Sequence, residues 1–285
     1  MNIYTPATSD KDNLPVCFYI HGGGLQQWYG SDYEYCGDEF CKNGCIVVSI
    51  TYRLNVFGYF AHPELDKENE HNSSGNYGLL DQIQALKWVY ENIEYFGGDK
   101  NRIMCFGQSA GGSSSLAVLA SPLNKNYIKR VSLQSCVGLN SLMKETTKIQ
   151  IEEKGIKFMQ ACGCQSIEEM RQLDAEYLRD KNDEMFSMFD GFGMNIDDYV
   201  LEDEPIKLLA ENKLADVDII IVASCSSEMA LPCVACQVQS ELGAMNAVAF
   251  DLNAACAGFL FAMNTVDAYI ASGIYKNALV IGSEV

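Results

Sequence analysis

Two hydrophobic periods alternate along this 285-residue chain. Val16 to Ile20 is a continuous apolar run, and Cys45 to Thr51 is a second. Runs apolar on both faces predict strands buried in a parallel sheet. From Gly78 to Glu94 the apolar positions Leu79, Leu80, Ile83, Leu86, Val89 and Ile93 recur at helical spacing, and Phe96-Gly-Gly-Asp99 stops them. A third run, Ile103 to Phe106, leads into a small-residue helical stretch from Ser113 to Ala120. Strand, helix, strand, turn, helix is the order of a doubly wound α/β sheet. Residues 141–218 break it with 19 acidic and nine basic residues on short amphipathic helices, interrupted at Gly191-Phe-Gly193. They predict an exposed helical segment over the carboxyl edge of the sheet. The α/β pattern then returns as strand 219–223, helix 233–242, strand 247–252, helix 256–272 and strand 278–282.

Charge narrows the partners. With 20 basic and 38 acidic residues the net charge is −18, which argues against a nucleic-acid or anionic-membrane surface. No apolar run is long enough to span a bilayer. Twelve cysteines in a chain of this length, opening Met1-Asn-Ile-Tyr-Thr-Pro6 with no apolar leader, predict reduced thiols and a cytoplasmic setting. The pairs Cys41/Cys45, Cys162/Cys164 and Cys233/Cys236 have near-ligand spacings, but the three histidines all precede residue 72. Core or surface thiols are favoured over zinc, and no metal or cofactor is implied.

Candidate chemistry lies in Gly107-Gln-Ser-Ala-Gly111, a Gly-x-Ser-x-Gly sequence centred on Ser109 between a strand and a helix. It reads as a nucleophile elbow, which exposes the hydroxyl and points backbone N–H groups and the positive helix end toward the same place. His21-Gly-Gly-Gly24 follows a strand and ends 85 residues earlier. Glycines there let backbone donors approach a developing oxyanion. Together the two motifs point to an esterase-type site rather than to two flexible turns.

These motifs occur with Thr51-Tyr-Arg-Leu54, Ala61-His-Pro-Glu-Leu65, Ser74-Gly-Asn-Tyr-Gly-Leu-Leu-Asp-Gln82, Phe96-Gly-Gly-Asp99 and Gly107-Gln-Ser-Ala-Gly-Gly112. The set resembles the type-B carboxylesterases, the cholinesterase-like branch of the α/β-hydrolases, over about residues 1–218. The resemblance implies an incomplete α/β-hydrolase sheet acting on a small ester. It makes Ser109 the nucleophile and Gly23, Gly24 and Ala110 the oxyanion donors. Arg53 and Asp99 match family positions as charges that hold loops, and His21 and Trp88 as packing residues. The family order places a histidine after the serine and the acid, whereas His62 and His71 precede Ser109 and read as loop imidazoles. The family's amino-terminal strands are also missing from the start of the chain.

Beyond residue 218, Leu231-Pro232, Ala235-Cys-Gln-Val-Gln239, Ala249-Phe-Asp-Leu-Asn-Ala-Ala-Cys-Ala-Gly-Phe259 and Leu279-Val-Ile-Gly-Ser-Glu-Val285 resemble a β-ketoacyl-ACP synthase III. That resemblance implies a βαβαβ fragment of a thiolase-like fold over 219–285. Its acyl-accepting nucleophile would be Cys256, at a helix start that favours thiolate, and its partner an acyl-CoA or acyl-carrier protein. Glu228, 119 residues after Ser109, fits either the esterase's triad acid or the condensing-enzyme strand. The seam is expected between about 215 and 228. Three readings follow: a carboxylesterase whose activity is lost or severely impaired without its histidine, a condensing enzyme using Cys256, and a non-catalytic chimera of two truncated enzymes that self-associates through unsatisfied sheet edges.

Overall fold

Strong apolar runs take interior positions in the eight-stranded sheet that the described residues form. A computed structural model describes residues 1–128, 130–134, 136, 147–187, 190–205, 207–208, 218–224, 231–254 and 257–282. The first part runs β1 (Asn2–Tyr4), β2 (Leu14–Ile20), α1 (Asp38–Lys42), β3 (Ile46–Ile50), α2 (Asn55–Tyr59), α3 (Pro63–Asp66), α4 (Tyr77–Asn92), β4 (Gly98–Gln108), α5 (Ala110–Ala120) and β5 (Val131–Gln134). Every residue of β3 is buried, as a parallel strand covered on both faces requires. β2 lies between β3 and β4 in parallel register, Val16 opposite both Ile46 and Ile103, and β1 closes the edge antiparallel to β3. α4 sinks Leu79, Ile83, Leu86 and Val89 into the core, the face its spacing predicts.

The acidic segment supplies α6 (Lys148–Ala161), α7 (Ile167–Met170) and α8 (Ala175–Met185). Thr147 and Gln150 open α6 with a reciprocal capping box. Charge alone overstated the exposure of this segment: Ile151, Phe158 and Phe192 are fully buried in the main core, and Phe158 meets Phe192 edge-on at 5.6 Å. Its charged residues cover the outside, and α8 buries only Asn182.

The last part runs β6 (Ile219–Ala223), α9 (Val234–Glu241), β7 (Val248–Leu252), α10 (Gly258–Ala271) and β8 (Ala278–Gly282), close to the predicted bounds. The strand order is β1-β3-β2-β4-β5-β8-β6-β7. The tail strands therefore continue the first sheet, with β8 between β5 and β6. Alternate residues of β6 face opposite sides. Ile220 and Val222 meet Ala235 and Leu242 on the α9 side, while Ile219 and Ile221 meet Ala262 and Val266 of α10.

Candidate active site

The turn from β4 into α5 holds Ser109 at φ 56°, ψ −127°. A non-glycine residue at positive φ carries about 1–3 kcal/mol of backbone strain, which the surroundings must hold in place. They do so from both sides: the Ser109 N–H donates to Gln134 O at 2.9 Å, and its carbonyl accepts from the N–H groups of Gly112 and Ser113. α5 is buried from Ala110 through Val118. Its close seat against β2 depends on Gly111, where a Cβ would stand 2.1 Å from Ile20 O.

The glycine loop follows β2 directly and lies against this turn. A Cβ on Gly22 would come 3.3 Å from Ser109 Cβ and 2.7 Å from Gln108 O. Gly23 adopts φ 99° and its carbonyl accepts from the N–H groups of Gln26 and Gln27, which bends the loop back. Among the described residues the N–H groups of Gly23, Gly24 and Ala110 donate to no protein acceptor. Ser109, partly exposed, thus sits at a helix N-terminus beside a loop with uncommitted donors, the arrangement that oxyanion stabilisation needs.

None of the three imidazoles hydrogen-bonds the Ser109 hydroxyl. His21 is fully buried, stacks on Tyr52 at 4.4 Å and has Nδ1 2.8 Å from Gly22 O. Its Nε2 has no partner, and burial pushes its pKa down. It is a packing residue, as the resemblance implied. His62 departs from the solvated loop reading: it is buried and caps α3, its Nδ1 accepting from Glu64 N at 3.2 Å. His71 stacks on Tyr199 at 3.7 Å and lies 3.5 Å from Glu70. Glu228 and Cys256 lie outside the described residues.

Arg53 and Asp99 hold loops. The Arg53 guanidinium donates to both oxygens of Asp81 and lies over the Tyr77 ring, and Asp99 accepts from Asn101 N. Trp88 packs, half-buried, against Phe96 at 6.2 Å. Sequence reasoning missed the residues that bind the acidic segment to the site. Gln26 Nε2 donates to Phe192 O at 2.7 Å, which docks the 190–201 stretch onto the glycine loop. Asn76 and Asn195 exchange hydrogen bonds, and buried Asp197 accepts from Ser73 and from the N–H groups of Tyr199, Val200 and Leu201. Isolated Asn and Asp residues carry no periodicity, so only the folded chain exposes these pairings. Among the described residues no group of three or more His, Cys, Asp or Glu is placed to hold a metal ion, and no helix is long and apolar enough to cross a membrane.

The model of the carboxylesterase family matches residues 1–255. The chain belongs to that family. The match runs beyond residue 218, where the sequence resemblance ended, and a second model, 3-oxoacyl-[acyl-carrier-protein (ACP)] synthase III, matches residues 250–285. The chain is 36% identical over 232 residues to the para-nitrobenzyl esterase of Bacillus subtilis (strain 168), covering 78% of this chain and 45% of that protein. The carboxylesterase of Geobacillus stearothermophilus superposes with a TM-score of 0.69 at 33% identity, over 78% of this chain and 47% of that one. A PNB esterase structure superposes with the same TM-score at 26% identity over 99% of this chain and 64% of that one, so the tail strands also follow this family's sheet. The chain spans 25–45% of the length of the first curated carboxylesterases it matches.

Proposed function

We propose that the chain carries the serine acyl-transfer site of a carboxylic-ester hydrolase, with turnover severely impaired. Ser109 Oγ attacks the carbonyl carbon of a small ester, and the N–H groups of Gly23, Gly24 and Ala110 receive the oxyanion. The alcohol leaves with a proton, and water releases the acyl group. The observation that carries the reading is Ser109 at φ 56° against the glycine loop. The serine needs a base to take its proton, and His21, His62 and His71 are all engaged elsewhere. Ser109 is then reached by reagents with activated leaving groups, while ordinary esters are turned over poorly. Glu228 is the proposed acid by its spacing, small esters are the proposed substrates, and a reducing cytoplasm suits the free thiols.

The test is incubation with a fluorophosphonate followed by mass spectrometry of the Ser109 peptide, alongside hydrolysis of p-nitrophenyl acetate. The proposal expects an adduct on Ser109, absent in Ser109→Ala, with steady hydrolysis near background. No adduct on the folded chain removes the nucleophile assignment, and fast Ser109-dependent hydrolysis removes the impairment.

The match at residues 250–285 supports a second reading, in which the tail derives from a condensing enzyme joined to the esterase piece and Cys256 accepts an acyl group from acyl-CoA. Acetylation of Cys256 by acetyl-CoA ahead of the other cysteines is its expected result, and uniform labelling rejects it.

A further inference from the structure

A pair of cysteines outside the serine site is built for two-electron chemistry. Cys233 is the N-cap of α9 and Cys236 lies one turn on, with their Sγ atoms 3.3 Å apart. The two sulfurs are thus within van der Waals contact, and closure to the S–S length of about 2.05 Å asks for a shift of roughly 1 Å. Both side chains are partly exposed, so a small molecule can reach them. The contrast with Cys17 and Cys105 is sharp: each is buried on a central strand, with its thiol pushed up to about 12.

The surroundings divide the labour between the two sulfurs. The Cys236 thiol is raised first by its hydrogen bond with Cys233, then by desolvation and by the charges of Cys233 and Asp251, and it also points to Ala249 O at 3.7 Å. Cys236 thus holds its proton, and the attack is assigned to its partner at the start of α9, Cys233. Asp251 of β7 accepts from Val234 N at 3.0 Å and Ala235 N at 2.8 Å, which pins the first turn of α9 and holds the two sulfurs side by side. The Cys236 thiol, raised by its neighbours, is a poor leaving group, so a disulfide that must expel it is reduced slowly.

We propose that Cys233 and Cys236 form a reversible thiol–disulfide site that takes low-molecular-weight disulfides as its oxidant. The Cys233 thiolate attacks one sulfur of R–S–S–R, that bond breaks, and RS⁻ leaves and takes up a proton. Cys236 then gives its proton to solvent and attacks the Cys233 sulfur, expelling the second thiol. Two protein thiols are oxidised and one small disulfide is reduced to two thiols. The closed ring staples the first turn of α9 over β6 and β7.

Oxidised glutathione is the probe, applied to the folded full-length chain, followed by alkylation, digestion and mass spectrometry. The peptide spanning both residues is expected to lose about 2 Da and to escape alkylation, and a reducing thiol is expected to reverse this. Cys236→Ser is expected to stall with glutathione on Cys233. Cys233→Ser is expected to react about tenfold more slowly or worse. The wild-type chain alone can overturn the proposal, if both cysteines stay alkylatable while other thiols oxidise. Equal reactivity of Cys233→Ser and Cys236→Ser overturns the assigned order.

Discussion

Replacing Gly111 with alanine tests the packing that holds the elbow. The new methyl would sit 2.1 Å from Ile20 O and 2.8 Å from His21 O, both backbone atoms. β2 is hydrogen-bonded between β3 and β4 and has no room to retreat, so the first turn of α5 has to move. Real Cβ atoms essentially never come within 3.0 Å of such a neighbour, so the shift is about 0.9 Å and carries Ser109 with it. Overpacking of this kind costs about 1–3 kcal/mol of stability. A displacement near 1 Å between nucleophile and donors costs roughly 10²-fold in rate. Gly258→Ala is the matched control in the first turn of α10, because its Cβ meets Ala223 Cβ at 3.3 Å and Leu252 at 3.7 Å or more, with no backbone atom closer than that. It is expected to change stability by no more than about 1 kcal/mol, the helix-propensity gain offsetting a slight shift of Ala223. Urea unfolding followed by circular dichroism measures the first quantity, and the rate of fluorophosphonate labelling the second. A Gly111→Ala chain that unfolds within about 0.5 kcal/mol of wild type and labels within about threefold would show that the elbow is not held by this contact.

Asp197→Ala leaves three N–H donors and the Ser73 hydroxyl without their shared acceptor. It should cost about 2–4 kcal/mol in urea unfolding, and a loss under about 0.5 kcal/mol would reassign the carboxylate to the surface. Glu152→Gln should flatten the pH dependence of stability. Glu152 is pushed up to about 7 by burial and then by Asp66, so the folded chain holds a proton that the unfolded chain sheds above about 4.5. Burial also pushes Asp66 up, but Lys148 and Ser74 outweigh it and keep this carboxyl ionised. Stability from Glu152 is full below about 4.5 and is lost as pH rises through 7, a decline of at most about 3 kcal/mol, less what solvent screens, that thermal melts from pH 5 to 8 should show in wild type but not in the variant.

Local signals in the chain carried much of this architecture. Apolar runs marked β2, β3 and β6, helical spacing marked α4, and Gly-x-Ser-x-Gly marked a turn that does hold Ser109 at positive φ. Neighbour relations were not legible, because an apolar strand reads alike wherever it lies in a parallel sheet. The insertion of β8 between β5 and β6 is one case, and the carboxylesterase match running to 255 rather than 218 is another. Charge density on 141–218 suggested exposure, yet Ile151, Phe158 and Phe192 outweigh it, since a helix needs only one apolar stripe to dock. The roles of Gln26, Asn195 and Asp197 rest on partners 119 to 166 residues away in sequence, or on a single loop, which no local pattern encodes.

The join between the two parts of the sheet has a mechanical meaning. Among the described residues β5 pairs with β8 through Leu133 with Ile281 and Gln134 with Gly282, whereas β6 is paired along its whole length on both sides. Apolar clusters on the two faces of β6 are separate from the one beneath Ser109. Because these clusters do not merge, local unfolding is expected to stop between them. Amide protons of β6 and those of β2 are therefore expected to exchange as different cooperative units, which hydrogen exchange would show as two separate protection levels.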